Sequence, residues 1–151
     1  MSTIAQVIVQ GPAAAGVARS YGNPRHPLNH VTDAIRELDT RWVHMRHEEA
    51  GGFAAGADAL LTGELALCAG SCGPGSLHFI NGLFESHRNR APVVLIASQI
   101  VRDELGFDFP QEVDFQQIYR ACSVFCEEIR TPAQARRKTA MAAQAALAKK
   151  G

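Results

Sequence analysis

The run Leu65-Ala66-Leu67-Cys68-Ala69 constrains the fold most. It is apolar at every position, shorter than a typical buried helix, and followed at once by Gly70-Ser71-Cys72-Gly73-Pro74-Gly75. Unbroken apolar runs bounded by turn residues suit strands covered on both faces, as in parallel sheets. Parallel strands need crossover connections, usually helices. Val93 to Ala97 is a second such run, and Arg41 to Met45 reads as a strand ending in charge. Val31, Ala34, Ile35 and Leu38 give Leu28 to Leu38 a helical face. Phe53, Ala54, Ala57, Leu60 and Leu61 do the same for a helix that Thr62-Gly63 closes. Ser76 is the expected N-cap of a helix through Ser86. This alternation predicts an α/β fold: a doubly wound, mainly parallel sheet with helices on both faces, in three αβα layers. Val43 to Met45, Leu65 to Ala69 and Val93 to Ala97 are expected to be its central strands.

The flanking segments are less regular. Ile4 to Ala15 has helical spacing, but Gly11-Pro12 predicts a break near Gln10, with Gly16 as a C-terminal cap. Val17 to Tyr21 is expected to be the first strand. Gln99 to Asp114 has no clear period, and long loops of that kind are often functional. Phe115 to Ala121 reads as a short helix and Ser123 to Glu127 as a strand. Thr131-Pro132-Ala133-Gln134 predicts a helix start with a threonine cap, a first-position proline and a capping-box glutamine. That helix should run to about Lys149.

The totals exclude some classes of function. Lys+Arg number 15 and Asp+Glu 15, so the net charge is zero and no long-range field attracts nucleic acid or anionic membrane. No apolar run approaches the roughly 20 residues a bilayer needs, and no basic leader precedes an apolar segment. A cytoplasmic location with no membrane insertion is expected. The four cysteines form two pairs, Cys68/Cys72 and Cys122/Cys126. The count suits zinc, but a buried strand and a glycine turn are a poor setting for ligands. Free, buried thiols and no metal are the expectation.

Chemistry concentrates where Trp42-Val43-His44-Met45 gives way to Arg46-His47-Glu48-Glu49. Charges at the carboxyl end of a buried strand sit where open α/β sheets bind ligands. The nascent helix N-terminus favours an ionised carboxylate there, and burial opposes it. A first-turn surface charge explains the same residues without any ligand. Likewise, the 70–75 turn is either a tight strand-to-helix connection or a place where a ligand approaches bare backbone. His47, His78 and Asn81 are assigned packing or interior hydrogen-bonding roles.

Taken in order, Arg46-His47-Glu48, Gly70-Ser71-Cys72-Gly73-Pro74-Gly75, Asn81-Gly82-Leu83-Phe84-Glu85, Ala91-Pro92-Val93-Val94-Leu95-Ile96 and Gln111-Glu112 resemble the N-terminal pyrimidine-binding (PYR) domain of thiamine diphosphate-dependent enzymes. The resemblance covers the chain from about Ala15 onward. It is nearest to the pyruvate oxidase and quinone-dependent pyruvate dehydrogenase branch, with acetolactate synthase as a near cousin. It implies that residues 1–151 are one PYR-type domain, with a final strand, a middle domain and a diphosphate-binding domain lying outside it. It implies that Glu48 bonds the cofactor's pyrimidine N1′ and favours the imino form that acts as internal base. It also implies that Gly70, Ser71, Cys72, Gly73, Pro74 and Gly75 approach the cofactor, and that Gln111 stands near the substrate pocket. Thiamine diphosphate would be the cofactor, with Mg and FAD held by the other domains. The substrate would be a 2-oxo acid, and the partners a diphosphate-binding domain or chain and a second copy in a homodimer or higher homo-oligomer.

Pro12, Arg25, His26 and Pro110 depart from the family pattern. The chain has no Gly-Asp-Gly metal motif and no Gly-x-Gly-x-x-Gly. The isolated chain is therefore expected to be inactive. The alternatives are a stand-alone, non-catalytic binding module, a truncated remnant, or a separate PYR subunit of a two-chain 2-oxo acid decarboxylase.

Overall fold

The computed structural model describes residues 2–150, apart from the side chain of residue 27. Helix α1 (Ile4–Ala14) leads into β1 (Arg19–Gly22), α2 (Asn29–Glu37), β2 (Arg41–His44), α3 (Glu48–Thr62), β3 (Ala66–Gly70), α4 (Pro74–Leu77), α5 (Ile80–Asn89) and β4 (Val93–Ala97). A long loop then reaches α6 (Phe115–Tyr119), and α7 (Pro132–Lys149) ends the described chain. The strands form one sheet in the order β2-β1-β3-β4, and every pair is parallel.

Right-handed crossovers explain the layers. The β1-to-β2 connection runs toward one edge and the later ones toward the other, so their helices cover opposite faces. Val9, Ala34, Ile35, Leu65, Leu67, Ala143 and Ala146 form the core beneath α1, α2 and α7. Ala55, Ala59, Cys68, Phe79, Leu83, Val93 and Tyr119 form the core on the α3 and α5 face. Odd and even positions of β3 feed the two cores, which is why the run has no polar position. An Arg19–Asp58 ion pair, with two hydrogen bonds of 2.9 and 2.6 Å, ties β1 to α3.

The three-layer α/β architecture is as expected, but several local expectations are corrected. Only β1 and β3 are interior strands. β2, with Val43, and β4 lie at the edges of the described sheet. Helix α1 does not break at Gln10. Pro12 falls in its last turn, where few backbone bonds remain to be lost, and Gly16 at φ 96° follows the end. Ser76 is not an N-cap: Gly73 precedes the four-residue α4, and Ser76 is buried inside it, donating to the Ser71 carbonyl at 2.8 Å. Helical structure resumes at Ile80 and continues to Asn89.

The face of α3 is inverted. Phe53, Leu60 and Leu61 are exposed, and the buried side is Glu48, Gly51, Gly52, Ala55, Gly56 and Ala59. The small side lets α5 come close, with Gly52 against Gly82 and Gly56 against Ser86. Thr131 caps α7 by position alone. The Gln134 side chain accepts from the Arg130 N–H at 2.9 Å, and the full capping box is at Thr3 and Gln6 of α1. Residues 123–127 pair with no strand among the described residues and the chain bends at Val124, so the fifth strand is not formed.

Buried ionisable groups make the fold sensitive to alkali. Burial pushes the Cys68, Cys122 and Tyr119 pKa values up. A group whose pKa is higher folded than unfolded contributes full stability at low pH. That contribution is lost as pH rises past the unfolded values, about 8.5 for Cys and 10 for Tyr. We expect a loss on the order of 1 kcal/mol by about pH 9.5. Urea midpoints unchanged from pH 7 to pH 10 would contradict it.

Candidate functional site

The carboxyl ends of β2 and β3 bring the charge cluster and the glycine turn together. His47 is the N-cap of α3: its backbone is extended, and its Nδ1 accepts from the Glu49 N–H at 3.3 Å. That cap starts the helix at Glu48 and turns its side chain inward, leaving the residue 4% exposed. Among the described residues, no side chain or backbone group donates a hydrogen bond to the Glu48 carboxylate. Glu49, the next residue, is only half-buried.

The turn after β3 lies directly on that carboxylate. A Cβ built on Gly75 would come within 3.6 Å of Glu48 Oε1 and 2.1 Å of Ser71 Oγ. Gly75 therefore leaves bare backbone where the Ser71 hydroxyl needs room, beside the carboxylate. Gly73 has φ 62° and ψ −128°, a conformation that disfavours any side chain. A Cβ there would sit 2.9 Å from Gln111 Cβ, so the long loop is folded down onto the turn. Gln111 is exposed, and the Cys72 thiol points at its Oε1 from 3.6 Å.

Sequence reasoning missed the support beneath. Phe79 is fully buried, and its ring meets the places where Cβ atoms on Gly51, Gly52 and Gly70 would sit. It thereby fixes the start of α3 against the end of β3. The Tyr119 hydroxyl donates to the Ser76 carbonyl and anchors α4 from below. The glycines at 51, 52 and 70 were the available signal, because three small residues around one aromatic leave room for its ring. His78 and Asn81 are exposed, not interior as expected, and His78 stands edge-on to His47 with ring centroids 4.5 Å apart. Cys68 and Cys72 belong to different surroundings: the Cys68 thiol faces the Val94 carbonyl and the Cys72 thiol faces Gln111.

Residues 2–118 match the family model described as "Thiamine pyrophosphate enzyme, N-terminal TPP binding domain". The chain belongs to this family. An uncharacterized 42.6 kDa protein in the isoamylase 3′ region of Pseudomonas amyloderamosa is 50% identical over 132 residues, which are 87% of this chain and 33% of that protein. Pyruvate oxidase of Lactiplantibacillus plantarum is 38% identical over 108 residues, or 70% of this chain and 18% of the oxidase. Acetolactate synthase large subunits match at broadly similar identity. Among solved structures, the Rhodococcus jostii RHA1 thiamine diphosphate-dependent 4-hydroxybenzoylformate decarboxylase superposes with a TM-score of 0.88 at 25% identity, covering 97% of this chain and 28% of that one. The chain thus spans a third or less of the length of these relatives. It is similar to an N-terminal, thiamine diphosphate-binding part of a larger enzyme.

Proposed function

We propose that this domain holds the pyrimidine half of thiamine diphosphate in a pyruvate oxidase-like enzyme that decarboxylates a 2-oxo acid, and that Glu48 supplies its activating carboxylate. The observation that carries this reading is the Glu48 side chain, 4% exposed beside the glycine turn and accepting no hydrogen bond from the described residues. A carboxylate held there with no partner of its own is free to accept from a donor outside the chain. A protonated ring nitrogen is such a donor. When bound, the cofactor would supply an acidic thiazolium carbon as the nucleophile toward a 2-oxo acid.

The chain's own residues then divide the work. Glu48 fixes a proton at the ring nitrogen by charge-assisted hydrogen bonding. The His47 cap fixes where α3 begins and so holds the Glu48 side chain toward the turn. The Gly73 and Gly75 backbone, with no side chains, lets Gln111 and Ser71 pack onto the turn beside Glu48. Gln111, held over Gly73, is the side chain assigned to substrate. Magnesium, FAD and the diphosphate contacts fall to other domains. The 38% identity to a pyruvate oxidase supports that branch, and an acetolactate synthase-like reaction, with relatives 33–34% identical, is the alternative within the family.

The test is a titration of the isolated chain with magnesium and thiamine diphosphate, followed by amide NMR. One charge-assisted bond contributes roughly 1.5–3 kcal/mol, against an association cost of at least about 4 kcal/mol. Binding should therefore be millimolar or weaker, with shifts gathered at residues 47–49, 70–75 and 111, and lost in Glu48→Gln. Shifts confined elsewhere, or micromolar magnesium-dependent binding, would refute this division of labour.

A partner surface accompanies the site. Phe53, Leu60 and Leu61 on α3 and Phe84 on α5 are exposed large apolar side chains on two adjacent helices. Patches of this kind mark contacts. We expect a symmetric dimer through this face. Light scattering at high concentration should report twice the chain mass; a monomer that persists would count against it.

A further inference from the structure

The loop between β4 and α6 carries Gln111 to the glycine turn, yet its outer part has little to hold it. Residues 106–111 are all exposed, so no apolar burial fixes their path. Phe107 at the tip is 80% exposed. The backbone there is also unfavourable by itself. Gly106 has φ 84° and Asp108 φ 58°, and residues other than glycine adopt that left-handed region only rarely. Backbone of this kind persists where its surroundings hold it.

The holding falls to Glu112. Both of its carboxylate oxygens accept from the Gly106 N–H, at 2.9 and 3.0 Å. Its own N–H donates to the Phe109 carbonyl at 2.9 Å. Among the described residues, every hydrogen bond made by residues 106–110 ends on Glu112. The Phe109 bond closes a four-residue turn, Phe109-Pro110-Gln111-Glu112. Pro110 stands second in it, where its fixed φ suits a β-turn, and Gln111 stands third, at the outer corner. Pro110 departs from the family pattern, and here it pre-sets the turn that presents Gln111. The base of the loop is tied separately. Gln99 Nε2 donates to the Val113 carbonyl at 2.7 Å, and the Asp114 carboxylate caps α6 by accepting from the Gln117 N–H at 3.0 Å. Glu112 joins that fixed base to the exposed tip.

The turn it closes rests on the site. A Cβ on Gly73 would lie 2.9 Å from Gln111 Cβ and 3.0 Å from Gln111 Cα, so the loop sits directly on bare backbone. The Cys72 thiol, 3.6 Å from Gln111 Oε1, is buried beneath it. We propose that Glu112 is the positioning residue for substrate: its carboxylate, bonded to the Gly106 N–H, keeps the Phe109–Glu112 turn closed and so holds Gln111 over Gly73. The inference rests on the assignment of Gln111 to substrate, and Glu112 acts through that side chain.

Glu112→Ala in the 151-residue chain removes the carboxylate and leaves the backbone N–H. Its Gly106 amide should exchange about tenfold faster or more, read by NMR. Alkylation of Cys72 by iodoacetamide, mapped by mass spectrometry, should rise about fivefold or more as the loop lifts, with buried Cys68 unchanged. Glu112→Gln keeps the length and one acceptor oxygen, so both readouts should return to within about threefold of the unsubstituted chain. In the enzyme that carries this domain, with pyruvate as the probe, Glu112→Ala should raise KM about tenfold, by more than it lowers kcat, and Glu112→Gln should recover most of that loss. Unchanged Gly106 exchange and Cys72 alkylation in Glu112→Ala would overturn the clamp. A freed loop with KM unchanged, or with a fall in kcat alone, would overturn its role in positioning. An unsubstituted enzyme that leaves pyruvate untouched would instead sink the functional reading and with it the role of Gln111, while exchange and alkylation would still decide the clamp.

Discussion

Glu48→Gln, made in the enzyme that carries this domain, should slow exchange of the cofactor's C2 proton by about 10²–10⁴-fold, the range lost with a positioned acid–base group. Glutamine keeps the size of the side chain and an acceptor oxygen, so the pocket should survive. It loses the charge that holds a proton on the ring nitrogen. The same change at Glu49 should alter exchange by less than about fivefold, since a half-exposed charge in the first helical turn contributes only about 0.3–1 kcal/mol. The two residues are adjacent in sequence but not in environment: Glu48 is 4% exposed against the glycine turn, and Glu49 faces partly outward. Proton NMR in deuterated water reads the rate directly. Equal slowing by both substitutions would sink the assignment of Glu48.

That contrast was legible in the sequence only through the family motif. Charge, burial and helix position are alike for two consecutive glutamates until the His47 cap fixes where α3 begins. The sheet was legible for a simpler reason. Leu65 to Ala69 has no polar position, and only a strand covered on both faces tolerates that. Strand neighbours were not legible, because the order β2-β1-β3-β4 depends on crossovers that leave no local trace. β4 is as apolar as an interior strand yet lies at the edge, and residues 123–127 have a strand's composition without a partner. The face of α3 was misread because the apolar period was taken from its large residues. Close helix packing instead selects small ones, and Gly52, Ala55, Gly56 and Ala59 carry almost no hydropathy signal.

Gly82→Ala should be among the most damaging conservative changes in the fold. An added Cβ would lie 2.5 Å from the Gly52 carbonyl carbon, 2.6 Å from Phe53 N and 2.7 Å from Gly52 Cα. All three are backbone atoms of α3, so no side chain can rotate away and the two helices must separate. Overpacking usually costs about 1–3 kcal/mol, and a backbone collision belongs at or above the top of that range. Alanine's better helix propensity offsets about 1 kcal/mol. A net loss of about 2 kcal/mol or more is expected from urea unfolding. Gly63→Ala provides the contrast: it ends the same helix at φ 75° with nothing within 4 Å, so only backbone strain of about 1 kcal/mol applies. Separation of α3 from α5 also loosens Phe79, which packs against Gly51 and Gly52 beside Glu48. Gly82→Ala should therefore shift the Glu48 and Gly75 amide resonances in the folded protein, and Gly63→Ala should leave them in place. If the two substitutions cost the same and neither moves those resonances, the close α3–α5 contact does not hold the site.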